Sequence, residues 1–322
     1  MTMRSIGYAA IGCCLGLLAA EPARATPQTL YVANSGNDTI MAFSPAGVGS
    51  VFATTTVNPY ALAFDSAGNL YASLPDASSP STSQIEKIDN FGTSSVFATV
   101  PLAKSLAFNS AGTLFVSGVF GSAGIVDKIT ALGVVSAAVT ANVAGTAPLG
   151  LAFSSAGALF IADSAAGRIW KCTNPNACLP STFVTSLSGL DDGMAFDSAG
   201  NLYVSNFTNN SISKITSGGV VSTFASGLSG PQGLAFDSAG NLFVANKNNN
   251  TIDEITPGGV VSVFASTGLS SPIGIAFGAA PSVASGSVPE PTSLAVFSIA
   301  LLGLGVQHRR RGAAKRAVAS PV

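Results

Sequence analysis

Residues 233–245 read GLAFDSAGNLFVA, and this stretch decides the fold. An apolar run ends in Phe236, the polar segment Asp237-Ser238-Ala239-Gly240-Asn241 follows, and a second apolar run begins at Leu242. Glycine supplies the positive φ of a tight turn and aspartate bonds the nearby backbone, so the segment reads as strand, turn, strand. Beyond it, 246–250 is an Asn-rich loop, TIDEI (251–255) alternates as a third strand, Pro257-Gly258-Gly259 turns the chain, and VVSVFA (260–265) makes a fourth. Helical periodicity is absent.

The same pattern recurs as ALAFDSAGNLYAS (61–73), SLAFNSAGTLFVS (105–117), GLAFSSAGALFIA (150–162) and GMAFDSAGNLYVS (193–205). Its phenylalanines fall at 64, 108, 153, 196, 236 and 277, in steps of 44, 45, 43, 40 and 41. A period in the low forties with strand patterning indicates propeller blades, each a four-stranded sheet. The array opens at TLYVANSGNDTIMAF (29–43) without a first strand and closes at GIAF (274–277) with nothing after it. The expectation is an all-β, six-bladed propeller over 26–281, with one blade shared by the two ends. Closing the ring in this way removes exposed sheet edges.

Composition narrows the function. The chain has 322 residues, 47% hydrophobic and 9% charged, enough for a large core. Seven of the 14 Lys and Arg lie near the two ends, at Arg4, Arg24, Arg309, Arg310, Arg311, Lys315 and Arg316. Between residues 26 and 291, seven basic residues face fourteen acidic ones, a net of −7. Such a body repels phosphate backbones, which excludes nucleic acid as the expected partner.

Both ends read as addresses. Residues 1–25 have Arg4, an apolar run over 6–20 and the cleavage pattern Ala23-Arg24-Ala25, the signature of a signal peptide handled by the Sec machinery. With the leader gone, Cys172 and Cys178 are left as an even pair in a turn-rich segment, suited to a local disulfide in an oxidising compartment. After a linker (282–288), Pro289-Glu290-Pro291 precedes thirteen apolar or small residues (294–306), then Arg309, Arg310 and Arg311 and a short tail (312–322) that the arginines hold in the cytoplasm. The apolar run is shorter than the roughly 20 residues that a permanent helical span needs.

These segments resemble two known families. The repeat GLAFDSAGNLYVSNFTNNSISKI is similar to the NHL repeat over about residues 28–280. That resemblance implies a six-bladed propeller whose relatives range from binding modules to lyases and metal-dependent lactonases. The tail resembles the PEP-CTERM sorting signal of Gram-negative bacteria. It implies an exosortase-type membrane protease as partner, transient membrane anchoring, and final display at the cell surface or in the extracellular matrix.

The only histidine is His308, so the repeat region lacks the imidazole that hydrolytic triads and the antibiotic-cleaving lyases of this propeller class use. What remains is oxygen ligation. Asn34, Asp163, Asn206 and Asn246 share the slot after the second strand, and Asp191 and Asp192 precede a first strand on the same face. These side chains could converge on calcium, as in gluconolactonase-type propellers. The alternative is that they bond their own turns, which repetition in every blade favours. Trp170 reads as packing, the N-x-S/T matches read as turns, and the long loop 74–84 as a recognition loop or a tolerated insertion. The leading expectation is a non-enzymatic module that binds a polysaccharide, protein or small-molecule ligand without an obligate cofactor. The alternative is a calcium-dependent lactonase-like hydrolase. Mass spectrometry of the released protein should find it beginning at Thr26 and ending near Pro291; peptides from 292–322 in that material would refute the sorting reading.

Overall fold

The computed structural model describes residues 28–76, 78, 82–120, 123–139 and 147–282. The expected leader, sorting signal and tail, and nearly all of the expected linker, lie outside these residues. The described residues form six antiparallel sheets of four strands, a six-bladed β-propeller. The first strands are Leu62–Phe64, Ala103–Phe108, Pro148–Phe153, Leu190–Phe196, Pro231–Phe236 and Pro272–Gly278, each packed against the first strands of its neighbours around the axis. The shared blade is present: Pro272–Gly278 pairs with Thr29–Asn34, followed outward by Thr39–Phe43 and Gly49–Thr54. Its register places Leu30 opposite Phe277 on one side and opposite Phe43 on the other. This closing blade is blade 1, and blades 2 to 6 follow in chain order.

The turn after each first strand explains why the motif repeats. In blade 2, Asp65 Oδ1 accepts from the backbone N–H of Ala67 and Asn69 at 2.9 Å each, and Oδ2 accepts from Asn69 Nδ2 at 2.8 Å. Gly68 takes φ +84° with open space around it, so glycine is there for its backbone angle. Asp197 and Asp237 repeat these bonds in blades 5 and 6.

Packing is organised by seams between blades, with one buried apolar cluster per seam. A ring on each second strand meets the phenylalanine of the next blade's first strand edge-on: Tyr31 with Phe64, Tyr71 with Phe108, Phe115 with Phe153, Phe160 with Phe196, Tyr203 with Phe236 and Phe243 with Phe277. Centroids lie 5.0 to 5.1 Å apart. In five seams a fourth-strand phenylalanine (Phe52, Phe97, Phe183, Phe224 or Phe264) completes a triad. The fourth strand of blade 3, Val135–Ala137, carries no aromatic residue. In that seam's cluster lie Cys172 and Cys178, joined as a disulfide across a 3-10 turn, Pro175–Ala177, with Cα atoms 5.3 Å apart. Trp170 packs beside them.

Phe160 is 4% exposed and meets both Phe183 and Phe196. Phe160→Ala is expected to cost roughly 3–5 kcal/mol of unfolding free energy by denaturant titration. Val260, 65% exposed, serves as the control, and Val260→Ala should stay within about 0.5 kcal/mol.

Candidate functional site

The N-terminal ends of the first strands surround one mouth of the axis. In four of the blades their approach is too close for a side chain at one position. A Cβ on Gly150 would collide with the carbonyl oxygen of Asp192, one on Gly193 with that of Gln232, one on Gly233 with that of Ile273, and one on Gly274 with that of Tyr60. Buried serines on the second strands tie the ring together. Ser73 Oγ donates to Lys104 O at 2.8 Å, Ser117 Oγ donates to Leu149 O at 2.5 Å, and Ser205 Oγ accepts from Gly193 N at 3.0 Å. These bonds run from second strands to first strands and fix the residues just outside the ring.

Those residues are Tyr60, Lys104, Leu149, Asp192, Gln232 and Ile273, one from each blade at the same position of the repeat. Tyr60 in blade 2 reaches across the axis, and its hydroxyl donates to Asp192 Oδ2 in blade 5. Lys104 Nζ lies 4.0 Å from the centroid of the Tyr60 ring. Gln232 Nε2 donates to Asp191 Oδ2 at 3.1 Å. Two oxygens are shielded from solvent without a donor: Asp192 Oδ1 and Gln232 Oε1. Just inside lies a cavity of about 80 Å³ lined by Tyr60, Ser105, Leu151, Asp192, Met194 and Ile275 among others.

Burial and the neighbouring charge of Asp191 push the Asp192 carboxyl up to about 7; the Tyr60 hydroxyl and Lys104 oppose this shift without cancelling it. Burial and the charge of Asp192 raise the Tyr60 hydroxyl far above its ordinary range. Burial lowers the Lys104 ammonium, with attraction to Asp192 and Asp191 acting the other way and Lys247 adding repulsion. The mouth therefore holds a carboxyl poised near neutrality beside a desolvated ammonium and phenol.

Of the residues expected from sequence, only Asp191 and Asp192 join this cluster. Asn34, Asp163, Asn206 and Asn246 are buried at the ends of second strands and are used within their own parts of the ring. Asn34 Nδ2 donates to Gly268 O at 2.9 Å, and its Oδ1 accepts from Ser270 N at 3.3 Å. Asp163 accepts from Ala147 N, Ala166 N and Trp170 Nε1 at 3.2 to 3.3 Å and pairs with Arg168 at 3.6 Å. Asn206 Nδ2 donates to Ser211 and Ser213, and Asn246 bonds Thr251 and the N–H of Ser229. Among the described residues no three His, Cys, Asp or Glu side chains gather as a metal site. Leu74 ends a strand and Ser83 starts the next, so the long loop is shorter than 74–84, and part of it lies outside the described residues. Tyr60, Lys104, Gln232 and Lys247 carry no motif that singles them out.

Neither a family model nor a curated protein matches the chain in sequence. Solved structures do match in fold. A chain of a nidogen/laminin complex aligns with TM-score 0.68 at 14% identity, covering 79% of this chain and 100% of that one. A gluconolactonase from Xanthomonas campestris aligns with TM-score 0.58 at 16% identity, covering 69% and 84%. Virginiamycin B lyase from Staphylococcus aureus, solved with quinupristin as a catalytically inactive His-to-Ala variant, aligns with TM-score 0.53 at 19% identity, covering 77% and 78%. At these identities the likeness is one of fold.

The raised Asp192 carboxyl makes stability depend on pH. Between the ordinary value of 3.8 and about 7, the folded protein holds a proton that the unfolded chain has released. Its contribution is therefore complete below 3.8, declines as pH rises through this window and is gone above about 7. Denaturant titrations of the parent and Asp192→Asn across pH 4–8 should show this component of the slope only in the parent.

Proposed function

We propose that this chain is an exported NHL-type propeller that binds a ligand at the axial mouth and catalyses no reaction. The observation that carries the reading is the ring Tyr60, Lys104, Leu149, Asp192, Gln232 and Ile273. The repeat is nearly uniform around it, yet this position, at the start of the innermost strands, differs in every blade, and three of its residues, Tyr60, Lys104 and Asp192, meet one another across the mouth. A position that serves only the fold has reason to repeat, and this one does not. The two donor-less oxygens, Asp192 Oδ1 and Gln232 Oε1, suit a ligand that brings hydrogen-bond donors, such as the hydroxyls of an oligosaccharide. The described residues contain no histidine, so the group replaced in the inactive lyase variant has no counterpart among them.

A second reading, a calcium-dependent hydrolase of the gluconolactonase type, draws on the adjacent carboxylates Asp191 and Asp192 and the fold shared with the Xanthomonas enzyme. The calcium would have to displace Tyr60 and Gln232 from those oxygens. Export through the Sec machinery and release by an exosortase-type protease belong to the same proposal. They rest on Ala23-Arg24-Ala25, Pro289-Glu290-Pro291 and Arg309-Arg310-Arg311.

Thermal unfolding with calcium and with chelator, together with hydrolysis of gluconolactone, separates the readings. The expected result is no calcium-dependent rise in midpoint and no turnover above background, with saturable binding to at least one member of an oligosaccharide panel that Gln232→Ala weakens. A large calcium-dependent rise with hydrolysis lost in Asp192→Ala would establish the hydrolase instead.

A further inference from the structure

A groove lies at the seam between blades 6 and 1, beside the turns at the far ends of the first strands. Four blades place a lysine on the third strand opposite the second-strand ring: Lys87 opposite Tyr71, Lys128 opposite Phe115, Lys171 opposite Phe160 and Lys214 opposite Tyr203. Three of these ammonium groups sit over the opposing ring, 5.7, 5.4 and 5.3 Å from its centroid for Lys87, Lys171 and Lys214. Blade 5 shows the complete arrangement. Lys214 Nζ is 4.0 Å from Asp197 Oδ2, and the Tyr203 hydroxyl donates to the same oxygen at 3.3 Å.

Blade 6 keeps this frame and reverses its charge. Phe243 stands at the tyrosine position, Asp237 at the aspartate position, and Glu254 at the lysine position, opposite Phe243. A groove of about 280 Å³ opens there, lined by Phe43, Phe243, Phe264, Phe277, Asp237 and Glu254. Among the described residues, no lysine or arginine lies over these rings and neither carboxylate is in an ion pair. Ring faces and carboxylates attract the same kind of ligand, and their effects add where water is partly excluded.

We propose that this groove binds a primary alkylammonium group, which takes the place that Lys214 fills in blade 5. The ammonium would lie between the Asp237 and Glu254 carboxylates, and the alkyl chain would cover the phenylalanine rings. The net charge of −6 on the repeat region (seven basic and thirteen acidic residues over 26–281) favours arrival of such a cation. Binding here is independent of the axial mouth.

The test is calorimetric titration of the purified full chain with n-butylammonium at constant ionic strength, with n-butanol as the uncharged control. Saturable binding is expected, at least about tenfold weaker for butanol. Glu254→Lys supplies the internal cation found in four other blades. It should fold with an unchanged or higher midpoint and lose binding by at least about tenfold, and Glu254→Gln should fall between. Lys214→Ala should create a second site over Tyr203. Nα-acetyl-lysine methylamide tells the sources apart: binding like that of butylammonium assigns a lysine side chain of a partner, and failure beside butylammonium binding assigns a free amine. Absence of saturable butylammonium binding, or affinity unchanged in both Glu254 variants, overturns the proposal.

Discussion

The edge-on contact between a second-strand ring and the phenylalanine of the next blade is the interaction on which the remaining structure rests. Each such pair contributes about 0.5–1.5 kcal/mol beyond the area it buries. Its larger effect is geometric. With the six ring pairs at nearly one separation, successive blades are held at nearly one spacing, and the first strands are driven together until only glycine fits at four of the six places facing a neighbour's carbonyl. The seam that lacks a fourth-strand ring is also the one whose cluster includes the disulfide, a covalent link standing where the aromatic triad is incomplete.

A frame this regular divides its positions into two kinds. Those that make turns and seams recur because the same geometric problem recurs in each blade. The position at the axial mouth belongs to none of the six seam clusters, and there the chain carries tyrosine, lysine, leucine, aspartate, glutamine and isoleucine in turn. The third-strand position opposite the seam ring is intermediate: lysine in four blades, alanine in blade 1 and glutamate in blade 6. Departure from the repeat is the feature common to both candidate sites, on opposite ends of the strands.

The architecture was legible because turn chemistry and strand alternation repeat often enough to fix both the period and the blade that straddles the termini. Asp191 and Asp192 were legible for a different reason: two adjacent carboxylates at the start of an apolar run are out of place in a chain so poor in charge, and Asp191 occupies a position where four other blades have proline; the strand begins at Leu190, so both lie inside it and not before it. The asparagines and Asp163 repeat, and burial consumes their hydrogen-bonding capacity locally. Tyr60 and Asp192 meet across 132 residues and belong to opposite blades, so no local motif joins them. Their signal lay in the column of residues four places before the phenylalanine of each repeat, read downward through the alignment instead of along the chain.

The shared blade also sets an order of events. Among the described strands Thr29–Asn34 is the first to be made and Pro272–Gly278 the last, yet they are direct neighbours. Until residue 278 is available, the first hairpin presents an unpaired edge and half of its seam to water. The sequence separation of this pairing makes closure the slowest kind of contact to form. For most of synthesis the chain is thus an open arc with a sticky edge, and whatever shields Thr29–Asn34 in that interval decides between a closed ring and association of two arcs through their free strands.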